Sequence, residues 1–319
     1  MRGSHFLIGQ TQMKKTLYIL ASFLLLFACS KEPENQPDAP DNDTPALYTL
    51  PIVIHIIHNG QSVGDSINLA EIKILEQVDG LNNDFRRRKG TLGENDSPIS
   101  DDAFIQFKLA EADPDGKPTN GINRVNYSDV FPNKTAYTDL FDRLPVLANW
   151  NPEKYINIWV YGGLPPNTLA GRASLPTTNL PGLEEPLKTV GDGVMINTFH
   201  FGFSTVDGTV NLGKTLTHEM GHFLGLLHIW GNTFEGKDCF EFDDFVEDTP
   251  FVSASIGHCN GNIPLACDGQ EAPAKNYMNL TTDNCMNVFT KGQIARMRYV
   301  LENAERRKTL TTSNVVSRP

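Results

Sequence analysis

The segment His218-Glu-Met-Gly-His-Phe-Leu-Gly-Leu-Leu-His228 concentrates the side chains best suited to chemistry in this chain. On a helix, positions i and i+4 share a face, so His218 and His222 can offer imidazole nitrogens to one ion. Glu219 stands on the neighbouring face, within reach of a water at that ion. Gly225 tolerates positive φ, which ends the helix and lets the chain turn so that His228 becomes a third ligand. Three histidines with a fourth position left open make a tetrahedral zinc site of the catalytic kind. Such a site supplies a polarised carbonyl and an acidified water, with Glu219 as the general base that later hands the proton to the leaving amine. With the chain's own His, Glu and Gly frequencies, the five fixed positions coincide by chance in about 2 of 100,000 such sequences. A helix that is rich in histidine only for packing is therefore set aside.

These residues need a scaffold, and 319 residues with 39% hydrophobic and 20% charged content can build one. Lys+Arg 27 against Asp+Glu 38 gives a net charge of −11, which argues against a nucleic-acid partner. Pro51 to His58 is a nearly continuous β-branched run, as in a buried strand, and Ile67 to Phe85 has helical periodicity. Phe104–Ala110, Tyr155–Tyr161 and Gly193–Thr198 read as strands, with a turn at Asp113–Lys117. Lys214–Leu226 and Thr290–Ala304 read as helices, whereas 231–289 shows little periodicity. The expected fold class is α+β, an ordered N-terminal half followed by an irregular C-terminal part.

Leu17 to Phe27 is an apolar run of 11 residues behind Lys14-Lys15. It is too short for a bilayer core of ~30 Å, which needs about 20 residues, and has the layout of a secretory signal. Met13 reads as the start. Leu26-Phe27-Ala28-Cys29 resembles the lipobox of bacterial lipoproteins, which implies cleavage before Cys29 and its acylation, hence a membrane partner through a lipid anchor. Residues 1–28 are then the signal peptide, and their loss takes the net charge to −14. Residues 29–46, rich in Pro, Asn and Asp, read as a flexible tether. Residues 47–310 form the catalytic domain and 311–319 a tail; a monomer facing the periplasm or cell surface is expected. Cys239, Cys259, Cys267 and Cys285 lack any Cys-x-x-Cys pair, so in an exported chain they read as two disulfides with three connectivities open.

The extended zinc motif resembles that of the metzincin metallopeptidases, and Met278 in Asn276-Tyr-Met-Asn279 supplies their methionine turn. Pro51–His58, Leu81-Asn-Asn-Asp-Phe85, Tyr155-Ile-Asn-Ile-Trp159, Asp248-Thr-Pro250 and Cys285-Met-Asn287 narrow the resemblance to the pappalysin family, over roughly residues 47–305. That resemblance implies an upper subdomain (47–225) with a twisted mixed sheet and helices, above an irregular, disulfide-linked lower subdomain (226–310). It implies the pairs Cys239–Cys267 and Cys259–Cys285. The acidic run Glu235, Asp238, Glu241, Asp243, Asp244, Glu247 and Asp248 is ordinarily a solvated face, but it also suits a hard cation. The resemblance implies structural calcium there, with Asp244, Asp248 and Thr249 as ligands.

One position departs from the pattern. Many metzincins of this type carry a tyrosine two residues after the methionine; here it is Leu280, which cannot donate a hydrogen bond. Losing one oxyanion donor can cost ~10²–10³ in rate, so a catalytically weak or inactive metal-containing binding lipoprotein is the alternative, with metal storage a third reading. The metzincin pattern also makes Thr281–Val288 the wall of the pocket after the scissile bond. Met286 should floor it and Asp283 should face water, so an apolar side chain is expected there. The segment Val194–Asn197 is expected to pair with extended peptide substrate. His55, His58, His200 and His258 are read as packing or surface residues.

Overall fold

Tyr48–His58 (β1) is buried along almost its whole length because both of its faces are covered. In the computed structural model, which describes residues 44–130, 140–162, 169–185, 191–206, 209–231 and 238–318, it is the hub of a mixed sheet. Ile105–Leu109 (β2) pairs with its first half and Ile122–Asn126 (β3) with its second half, both parallel. On the other side lie Ile156–Tyr161 (β4) and Gly193–Asn197 (β6), also parallel. Gly171–Ala173 (β5) closes that edge antiparallel to β6. A hairpin of Phe203–Val206 (β7) and Thr209–Leu212 (β8) stands apart.

Side chains two apart share a face of a strand. Leu50, Ile52, Ile54 and Ile56, with Ile156, Ile158, Val160, Val194 and Ile196, make the face that packs on Glu71–Phe85 (α1) and Lys214–Phe223 (α4). The opposite face carries His55, Ile57, Trp159 and Tyr161, beside the short helices Tyr127–Val130 (α2) and Leu140–Leu147 (α3). His55 is fully buried, stacks on Trp159 and bonds to Asn157 and Asn123, so it is a packing residue.

The core runs without a break from the sheet through α4 into the irregular part, where Val252, Ile256, Tyr277, Met278 and Met286 join the same cluster. Beyond α4 the described residues are mostly loop until Lys291–Asn303 (α5), followed by Arg307–Leu310 (α6). The disulfides are Cys239–Cys267 and Cys259–Cys285, the two pairs named above. Residues 311–318 are not a loose tail: Val315 and Val316 are buried, and the Val315 carbonyl accepts from Glu111 N.

Among the described residues no helix is long and apolar enough to cross a membrane. The leader, Cys29 and the tether through residue 43 lie outside the described residues, as does Glu235.

Candidate metal centre and cleft

Helix α4 starts after Gly213, at φ 74°, and stops at Phe223 rather than at Leu226. The stop is set by Gly225 at φ 93°. Its N–H donates to the His222 carbonyl and that of Leu226 to the Gly221 carbonyl, a Schellman ending that requires the left-handed conformation. Two arginines hold two further carbonyls of this turn. Arg307 Nε donates to Phe223 O at 2.9 Å while its guanidinium lies over the Phe223 ring and pairs with Asp192. Arg296 Nε donates to Gly225 O at 2.8 Å. No local pattern marks either arginine.

The turn brings His228 back to the helix. His222 Nε2 lies 3.1 Å from His218 Nε2 and 3.3 Å from His228 Nε2. His218 Nδ1 meets the Tyr277 carbonyl at 2.7 Å and His222 Nδ1 the Leu226 carbonyl at 2.8 Å. A carbonyl only accepts, so both Nδ1 atoms carry the proton and both Nε2 atoms present lone pairs. Lone pairs this close repel unless a cation lies between them. Tetrahedral zinc with Zn–N of about 2.0–2.1 Å would set neighbouring nitrogens about 3.3 Å apart, so the donor set fits zinc. The three imidazoles are also neutral and ready to bind. Burial lowers His218 to about 4, burial and then the adjacent His218 lower His228 to about 3, and burial holds His222 well below its ordinary value.

Met278 lies beneath the helix. A Cβ at Gly221 would come within 2.5 Å of its sulfur, so glycine in the motif leaves room for the methionine turn. Asn276 Oδ1 accepts from Met278 N and exchanges amide bonds with Gln293 of α5, whose capping box with Thr290 fixes that partner.

Glu219 is buried beside the histidines at the foot of a cleft of about 910 Å³. Burial pushes its carboxyl up to about 8, against the pull of the Arg172 guanidinium; a dication alongside would favour the ionised form. The strand bordering the cleft is β5, not the Val194–Asn197 strand. β6 is flanked by β4 and β5 and has no free edge, whereas Leu169 to Ala173 line the opening. Gly171 approaches so closely that a Cβ there would stand 2.9 Å from Glu219 Oε1. His200 also lines the cleft, which its position in the sequence did not signal.

Across the cleft lie Leu280, Asp283 and Met286. Leu280 is 51% exposed at the opening, while Tyr277, on the other side of the methionine, is fully buried. Asp283 does not simply face water. It is half-buried, and its Oδ2 accepts from the N–H groups of Leu212 and Lys214 at the start of α4. Two backbone donors and the positive end of the helix draw the carboxylate inward.

In the acidic run, Asp248 has a structural task. Its carboxylate accepts from Thr290 Oγ1 at 2.6 Å and from Gly292 N at 2.9 Å, capping α5. Asp244 and Thr249 differ: both are buried, and Asp244 Oδ2 and Thr249 Oγ1 have no hydrogen-bond partner among the described residues.

The family model for Pregnancy-associated plasma protein-A, a peptidase family, matches residues 139–302. An extracellular metalloprotease of Arthroderma otae is 38% identical over 262 residues, covering 80% of this chain and 78% of its own length. One from Arthroderma benhamiae is 27% identical over 267 residues, covering 82% of this chain and 80% of its own. Among solved structures, mature mirolysin of Tannerella forsythia in complex with a cleaved peptide is similar with a TM-score of 0.70 and 31% identity. That likeness covers 86% of this chain and 100% of mirolysin.

Proposed function

The chain belongs to the Pregnancy-associated plasma protein-A family of zinc metallopeptidases, the pappalysins, and on that footing we propose an exported, lipid-anchored endopeptidase with Glu219 as general base. It is a metalloendopeptidase acting on protein or peptide. His218, His222 and His228 would hold zinc, which supplies Lewis-acid activation of the scissile carbonyl and of water. Glu219 takes the water proton on its carboxylate and passes it to the leaving amine. The edge of β5 that no described strand pairs with offers main-chain hydrogen bonds to an extended substrate; mirolysin, solved with a cleaved peptide, supports a peptide in the equivalent cleft. The observation that carries this reading is the convergence of imidazole lone pairs beside a buried carboxylate in an open cleft.

Met286 and Asp283 line the same wall. With the carboxylate held in the wall, the premise of a purely apolar pocket falls away. Methionine packs an aliphatic stem and a carboxylate pairs a cationic end, so the residue after the cut should be Lys or Arg. Mixed-peptide cleavage profiling, with and without a zinc chelator, tests both levels. Chelator-sensitive turnover with Lys/Arg after the cut is expected. Preference for Leu, Phe or Ala there defeats the pocket assignment, and no turnover defeats the enzyme reading. The latter result would favour the binding-lipoprotein alternative, which Leu280 in the usual tyrosine position supports.

Calcium in the acidic run is supported by the orphaned oxygens of Asp244 and Thr249. Burial pushes the Asp244 carboxyl up to about 8, and a divalent cation would offset that cost. Zinc-sparing calcium chelation should lower the thermal midpoint by on the order of 5 °C. An unchanged midpoint, or the same loss in Asp244→Asn, speaks against this site. Asp248, engaged with α5, is the weakest of the three ligands first named.

Export is supported by the extracellular relatives, and anchoring by the lipobox-like Leu26–Cys29. Cys29→Ser should move the protein from the membrane fraction to the soluble fraction. Unchanged fractionation would remove the anchor.

A further inference from the structure

The chemistry described so far leaves one buried ion pair without a role. Lys214 Nζ lies 2.5 Å from Asp84 Oδ1, and the two side chains are only 3% and 2% exposed. Asp84 belongs to the Leu81–Phe85 motif at the end of α1, and Lys214 opens α4. Asp84 Oδ2 also accepts from Thr217 Oγ1 at 2.6 Å, and Thr217 directly precedes His218. Lys214 Nζ stands 5.5 Å over the ring of Tyr277. That ring is wedged against Phe289 at 4.5 Å, and the carbonyl of the same residue receives His218 Nδ1.

One carboxylate thus touches both supports of His218: the helix turn that carries it and, through Lys214, the residue whose carbonyl aims its ring. Stability is a poor explanation for the charges. Removing two ions from water offsets most of their attraction, and well-packed neutral groups often serve a core equally well. What a buried pair with fixed hydrogen bonds does supply is a defined geometry.

We propose that Asp84 and Lys214 are positioning residues for the zinc ligand His218. They clamp the first turn of α4 and the Tyr277 ring, so that His218 Nδ1–H stays on the Tyr277 carbonyl and Nε2 stays aimed at the metal. The inference rests on the zinc-peptidase reading. It assigns the Leu81–Phe85 motif to the metal centre, although Asp84 is 134 positions before His218 in the chain.

The test uses the full chain and the double variant Asp84→Asn/Lys214→Met, which removes both charges and keeps an acceptor for Thr217. Metal-free protein is melted, zinc affinity is measured against a chromogenic chelator, and the visible spectrum of the cobalt(II)-substituted protein is recorded. The metal-free midpoint should hold or rise. Zinc affinity should fall by ~10–100-fold, the cobalt bands should shift, and kcat should fall with KM little changed. Wild-type zinc affinity and cobalt bands in the double variant overturn the proposal. So does a zinc loss that only follows a lowered metal-free midpoint. A second pair leaves the ions in place: Thr217→Val should weaken zinc binding and Thr217→Ser should restore it. Equal behaviour of Val and Ser also counts against the clamp. If the wild-type protein itself binds no zinc, the underlying reading has failed; if variants and wild type bind alike, only the clamp has.

Discussion

Glu219→Ala should remove peptide hydrolysis, a loss of at least ~10²–10⁴ in kcat, while the protein still binds about one zinc per chain. The two effects separate because the ligands are fixed independently of the base. His218 and His222 are oriented by the carbonyls of Tyr277 and Leu226, and His228 stacks on Trp230 with ring centroids 4.5 Å apart. Glu219 bonds to none of these. It is buried against Gly171 at the cleft floor, so truncation leaves a small space and does not break the histidine cluster. Glu219→Gln keeps the shape and removes the basicity, and should be equally inactive. Kinetics on a cleavable peptide, together with zinc counted by elemental analysis, decides the matter. Substantial turnover in either variant would mean that another group moves the proton.

Reduction of the two disulfides should cost the irregular C-terminal part its order, and with it the activity. Between α4 and α5 the described chain has only one short 3₁₀ turn, Cys239–Glu241, and isolated bridges such as Asn276 with Val288. The methionine turn is held by scattered backbone bonds, such as Tyr277 N to the Val288 carbonyl at 2.9 Å and Ile229 N to the Met278 carbonyl at 3.3 Å, and not by a continuous ladder. Cross-links that close loops of this size contribute ~2–4 kcal/mol each, against a total stability of about 5–15 kcal/mol for a folded domain. Cys285 follows the methionine turn and precedes Met286 of the cleft wall, so its release loosens both. With a non-chelating phosphine reductant, new proteolytic cuts should appear between residues 239 and 285 and peptide hydrolysis should disappear. Full activity after complete reduction, verified by thiol counting, would show that packing alone holds this part.

The zinc motif, its helix and its glycine stop are legible in the sequence because they are local. Four residues of helix put His218 and His222 on one face, and one positive φ at Gly225 returns His228. The buried strands β1 and β4 are legible for a similar reason: a sheet covered on both faces demands near-continuous apolar runs. Strand order is another matter. Gly171–Ala173 is too short to show a period, yet its pairing with β6 makes it the edge and denies that place to Val194–Asn197. Two carboxylates that the sequence placed otherwise, Asp283 and Asp248, and one that it left without a task, Asp84, are fixed by partners far along the chain. Asp283 is drawn to amides 69 and 71 positions away, Asp248 to the start of α5 more than 40 away, and Asp84 to Lys214, 130 away. A charged side chain in a sequence looks solvated until a distant element offers it hydrogen bonds. Which elements meet is decided by the packing of the whole core, and periodicity within any one segment carries no record of it.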